Sequence, residues 1–155
     1  FYLGLMYEKH RGIVQDYTKA VYWYTKSAEQ GYAMAQCNLG VMYAKGQGVS
    51  QDYTKAVYWY TKAAEQGNAF AQFTLGLKYD IGRGVSQDYT KAVYWYTKSA
   101  EQGDAVAQFT LGLMYANGQG VTQDYTKAVY WYTKAAEQGN ADAQKRLNSL
   151  KSLAK

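Results

Sequence analysis

The stretch DYTKAVYWYTKAAEQG at residues 52–67 decides how this chain folds. Its first eleven residues recur at 16–26, 88–98 and 124–134, a spacing of 36 with no insertion between copies. Trp23, Trp59, Trp95 and Trp131 keep the period, as do Gly4, Gly40, Gly76 and Gly112, and Leu3, Leu39, Leu75, Leu111 and Leu147. Residues 16–31 are identical to 88–103 and 52–67 to 124–139, which points to duplication of a 72-residue pair. A period of this length means a stacked array in which no unit can bury its apolar face alone.

Working outward, AMAQCNLGVMYAKG at 33–46 sets Ala35, Leu39 and Tyr43 four residues apart, a helical stripe. Call this helix A of the repeat. GQGVSQD then breaks it, because Gly46 and Gly48 supply positive-φ positions, and Asp52 is placed to cap the next helix with its carboxylate. Helix B is predicted from about residue 53 to the stop at Gly67, with Ala56, Tyr60 and Ala64 on one face. No strand is required.

The pattern A-x-A-Q-x-x-L-G-x-x-Y, then G-x-G-V-x-x-D, then K-A-x-x-W-Y-x-K-A-A-E-Q-G resembles the Sel-one-like repeat, a relative of the tetratricopeptide repeat. Copies lie at 33–67, 69–103 and 105–139, with a truncated one at 1–31 and a capping helix at 141–153, so one solenoid covers 1–155. The resemblance implies an all-α fold, a right-handed α/α superhelix of 36-residue helix-turn-helix repeats, with helix A lining the concave side. It also implies roles as adaptors in signalling complexes, in quality control and in bacterial contact with host proteins. Some secreted members carry two cysteines per repeat, joined as a disulfide. This chain has one cysteine in all, so that branch's β-lactam binding is not carried over.

Two departures matter. His10 stands where Gly46, Gly82 and Gly118 stand, so a side chain that tolerates positive φ is expected there, in the loosest repeat. In the last half-repeat Asn148 replaces the Gly and Lys151 the Tyr, which reads as a polar cap that accepts no further repeat.

Composition agrees: 48% hydrophobic and 17% aromatic residues suit a chain that folds in water, and no stretch is long and apolar enough to span a membrane. Cys37 reads as a small hydrophobe. The net charge of +5 is spread thinly, concentrating only at Lys145, Arg146, Lys151 and Lys155, a solvated end rather than a nucleic-acid stripe. The chain opens on Phe1, in what reads as mid-helix, with no basic and apolar leader. A natural start further upstream fits this reading, and the compartment stays open between bacterial periplasm, secretion and cytoplasm. Near-identical tandem copies favour a bacterial source.

The inventory for catalysis is poor. One His and one Cys lie 27 residues apart, and Asp16, Asp52, Asp88 and Asp124 fall at helix starts one repeat apart, where they cap. GQGV and GRGV lack the Lys-Ser/Thr of a phosphate loop. No enzyme, metal or cofactor is expected. The lysine rows Lys19/Lys55/Lys91/Lys127 and Lys26/Lys62/Lys98/Lys134 read as a solvated face with Asp and Glu partners, and the Trp row as inter-repeat core.

Variation among the repeats points to the site. Helix B barely changes, whereas helix A changes on the arc opposite Gln36, Leu39, Gly40 and Tyr43. That arc holds positions 34, 37, 38, 41 and 45 and their counterparts. Phe73, Phe109, Leu77 and Leu113 on it read as packing between A helices. What remains is Met34, Asn38 and Lys45, then Phe70, Thr74 and Ile81, then Val106, Thr110 and Asn117, a mixed stripe suited to a peptide or protein partner. Tyr22, Tyr58, Tyr94 and Tyr130 on helix B form a second, convex candidate surface. A receptor for cell-wall glycan fragments is the alternative use of the same groove.

Overall fold

The computed structural model describes residues 1–10, 12 and 14–153, with side chains described as far as Leu150. Among these the chain is all helix: α1 (Tyr2–Lys9), α2 (Tyr17–Glu29), α3 (Ala33–Lys45), α4 (Tyr53–Glu65), α5 (Ala69–Ile81), α6 (Tyr89–Glu101), α7 (Ala105–Asn117), α8 (Tyr125–Glu137) and α9 (Ala141–Leu153). Odd-numbered helices are the A helices and even-numbered ones the B helices. Each packs chiefly on its chain neighbours, most extensively within each of the three complete repeats, so the array grows one pair at a time.

Local chemistry sets the ends. Asp16, Asp52, Asp88 and Asp124 lie in extended backbone and accept from the amides of Lys19, Lys55, Lys91 and Lys127 at 2.9–3.0 Å. The A helices stop at a left-handed residue, Gly46, Gly82 or Gly118 at φ 67, and in the first repeat at His10 with φ 54. His10 does take the conformation that its position demands. Asn68, Asp104 and Asn140 cap α5, α7 and α9 in the same way, accepting from Ala71, Ala107 and Ala143.

The mid-helix glycines are explained by packing. A Cβ at Gly4, Gly40, Gly76 or Gly112 would come within 2.4–2.9 Å of the ring of Tyr24, Tyr60, Tyr96 or Tyr132. Each A helix thus lies directly on the tyrosine of its own B helix. The roughly 1 kcal/mol that Gly costs a helix interior is offset by fully burying that ring, worth about 1.5–3 kcal/mol. Burial raises the hydroxyl pKa of all four tyrosines. Glu8 and Asp80 take the hydroxyls of Tyr24 and Tyr96, whereas Ala44 and Ala116 fill those places in the other two repeats. The 72-residue duplication is therefore visible in the core.

Between repeats, two devices recur. Gln36 donates across the boundary to the Ala28 carbonyl at 3.1 Å and is held from within its own repeat by Gln66, which donates to the Gln36 side-chain oxygen at 2.7 Å; Gln72 with Gln102 and Gln108 with Gln138 repeat the arrangement. The turns after α3, α5 and α7 press on the start of the preceding B helix: a Cβ on Gly48, Gly84 or Gly120 would lie 2.2–2.4 Å from the carbonyl oxygen of Tyr17, Tyr53 or Tyr89. Trp59, Trp95 and Trp131 are half-buried and pack on clusters built jointly by the preceding repeat and their own A helix, inter-repeat core as read from the sequence.

At the far end α9 buries Ala143 and Leu147 and exposes Asp142, Gln144, Lys145, Arg146, Asn148 and Ser149. No B helix follows among the described residues, so Asn148 meets no tyrosine where Gly stood before. The Lys151 side chain and Lys155 lie outside the described residues.

Candidate functional site

Helices α3, α5 and α7 present the same stripe three times. Met34 and Phe70 are each 58% exposed, Val106 is 53% and Ile81 is 47%. Lys45 and Asn117 are exposed beside them, and Asn38, Thr74 and Thr110 are half-buried. Thr110 spends its hydroxyl on the Val106 carbonyl at 2.8 Å. The polar members therefore sit at the flank of the stripe while the apolar ones stand clear.

The rest of the arc turns inward. Phe73 and Leu77 pack on the α6–α7 cluster, with Phe73 5.6 Å from the Tyr96 ring, and Phe109 and Leu113 pack on the cluster that includes α9. Cys37 is buried against α4 and α5, where burial pushes its thiol up to about 11 and leaves it unreactive at neutral pH.

On helix B, Tyr22, Tyr58, Tyr94 and Tyr130 are exposed and stand edge-on to the neighbouring tryptophan, ring centroids 4.9–5.1 Å apart. Lys26, Lys62 and Lys98 lie over the first three of these rings at 5.8–5.9 Å. Among the described residues the expected glutamate partner appears only at Lys134, 3.8 Å from Glu137. The other row does pair: Lys19, Lys55, Lys91 and Lys127 lie 3.4–3.7 Å from the capping aspartates, so the charge of that row is compensated where it stands.

Sequence reasoning missed one corner. Lys78, at the inter-repeat position filled elsewhere by Met42 and Met114, is 8% exposed, and its Nζ lies 5.3 Å from the Tyr53 ring centroid. The only signal was the isolated Lys in an otherwise apolar column. A concavity of about 620 Å³ opens at the other end, with Trp23, Ser27, Gln30, Tyr32 and Met34 among its lining residues. Among the described residues no three His, Cys, Asp or Glu side chains are grouped to hold a metal, and no helix is long and apolar enough to cross a membrane.

The Sel1 repeat family model matches four times, at 1–32, 33–68, 69–104 and 105–140. No curated protein matches. Among solved structures, c5321 of uropathogenic Escherichia coli, a protective antigen displaying an SLR fold, superposes with a TM-score of 0.94 at 43% identity, over 96% of this chain and 32% of that one. A Sel1 repeat protein from Oxalobacter formigenes gives 0.91 at 42% identity, over 94% and 60%. Cysteine-rich protein B of Helicobacter pylori gives 0.65 at 27% identity, over 86% and 96%. The chain thus spans about a third of the first protein and 60% of the second.

Proposed function

From the fact that this chain belongs to the Sel1 repeat family, whose members are typically protein-interaction scaffolds, we propose that it is a non-enzymatic adaptor holding a peptide or protein partner along the A helices. That face is concave in the superhelix the family resemblance implies. The observation that carries the reading is the exposure of large apolar side chains on successive A helices: Met34, Phe70 and Val106, more than half exposed at one repeating position, and Ile81, 47% exposed beside them.

The mechanism is rigid presentation. Caps, buried tyrosines and glutamine ties fix the A helices before a partner arrives, so little ordering cost falls on this side of the complex. Phe70 and Ile81 serve as apolar anchors, and Asn38, Lys45, Thr74, Thr110 and Asn117 set register around them. The outer tyrosines are a second surface in this proposal, secondary because each is already engaged by its tryptophan and, in three repeats, a lysine.

Phe70→Asp with Ile81→Asp tests it. Both side chains point to solvent, so far-UV circular dichroism should be unchanged, while a discrete protein retained from lysate by the wild type should be lost. Unfolding of the variant, or unchanged retention, overturns the site. Retention of cell-wall glycan fragments alone would replace the partner class.

A further inference from the structure

Repeat 3 departs from its neighbours at one corner. Where repeats 2 and 4 carry Met42 with Gln47 and Met114 with Gln119, it carries Lys78 with Arg83. In repeat 1 Met6 precedes Arg11, which lies outside the described residues. Lys78 Nζ is 5.3 Å and the Arg83 guanidinium 5.2 Å from the centre of the same Tyr53 ring.

Among the described residues neither cation has a carboxylate within 4.0 Å. The nearby acids are engaged: Asp52 and Asp88 with Lys55 and Lys91, and Asp80 with the Tyr96 hydroxyl at 3.2 Å. Burial first, and then the Arg83 charge, hold the Lys78 ammonium below its usual pKa. The ring attracts each cation, yet the two repel one another, and one of them occupies a place where Met serves the other repeats. A local choice that works against packing, offset by one tyrosine ring and by no carboxylate among the described residues, is the mark of a site.

We infer that this corner takes an acidic side chain, Asp or Glu, from the partner peptide, a refinement that rests on the adaptor reading. The guanidinium fork matches a carboxylate with two hydrogen bonds, and a charge between the two cations turns their repulsion into attraction. Ile81, two residues before Arg83 and exposed, continues the apolar stripe to this point. The corner is single, and the lysines of the other row are paired with aspartates, so it fits one acidic residue rather than a phosphate backbone.

The other repeats supply the test variants. A capped tetrapeptide of alternating Asp and Glu is titrated against the full chain while NMR follows the Arg83 guanidinium and Tyr53 ring signals, with the Asn/Gln counterpart and inorganic phosphate as controls. The acidic peptide should shift both signals, and Lys78→Met with Arg83→Gln should weaken binding, read at Tyr53, by roughly tenfold or more. Met114→Lys with Gln119→Arg should add a second responding guanidinium beside Tyr89. The Lys78→Met/Arg83→Gln variant should also melt higher, by roughly 2–4 °C, because burial and repulsion are relieved. A lower melting point would make the pair a structural tie and overturn the inference. So would equal response to the amide peptide, unchanged binding by that variant, or a response to phosphate alone. Failure of the apolar stripe reads out separately, as partner retention by the Phe70→Asp/Ile81→Asp variant.

Discussion

Val93 and Val129 occupy the same place one repeat apart, in helices of nearly the same sequence, yet the first is 8% exposed and the second 37%. Tyr89 is half-buried whereas its counterpart Tyr125 is 55% exposed. The difference is what lies on top. The turn after α7 presses Gly120 onto the start of α6, and no such turn covers the start of α8 among the described residues. A B helix is therefore completed by the repeat that follows it, and its burial is a property of position in the array rather than of its own residues.

The largest expected effect lies where both junctions agree. Tyr96→Ala should cost about 3–5 kcal/mol in urea unfolding, since it empties the space that Gly76 vacates for the ring. A smaller loss than at Val129 would mean that the tyrosines do not carry the stack. Next come the turn glycines, which separate strain from collision. Gly139 at φ 88 has open space where its Cβ would go, whereas Gly84 at φ 83 would drive a Cβ to 2.4 Å from the Tyr53 carbonyl oxygen. Gly139→Ala should cost about 1–2 kcal/mol from the left-handed backbone alone, and Gly84→Ala should cost clearly more in the same assay. Third, Val93→Ala should lose about 1.6–2 kcal/mol and Val129→Ala about half as much. Equal losses would remove the contrast between the two junctions.

The smallest effect concerns pH. Asp16 and Asp88 are held below the ordinary value of 3.8, first by the amide hydrogen bonds of Lys19 and Lys91. Their folded pKa is depressed, so the stabilisation is present above 3.8 and fades as pH falls through the lower folded value. Asp88→Ala should flatten the acid limb of the melting-temperature profile below pH 4 and leave its neutral end lowered by the lost cap.

Much of this was legible in the sequence, for identifiable reasons. The aspartate caps and glycine stops act through backbone geometry within a few residues, so their spacing alone gave helix B from Tyr53 and the left-handed turn at His10. The glycine column was visible but its partner was not, because the contact with Tyr60 depends on how two helices cross. Lys78 was missed for a similar reason: its position flanks the arc taken as core and is buried by the preceding repeat, which a helical wheel drawn for one helix does not contain. The Lys26, Lys62 and Lys98 partners were misjudged because a tyrosine four residues back competes with a glutamate three residues on.

The glutamine ties across each boundary, from Gln36, Gln72 and Gln108 to the carbonyls of Ala28, Ala64 and Ala100, join only adjacent units, and each tie uses the same atoms. Unequal exchange between the identical segments 16–31 and 88–103 would therefore delete or add a whole 72-residue pair and leave every remaining tie intact. Repeat number becomes a heritable setting for the reach of the molecule, adjustable in one genetic event without passing through a misfolded intermediate length.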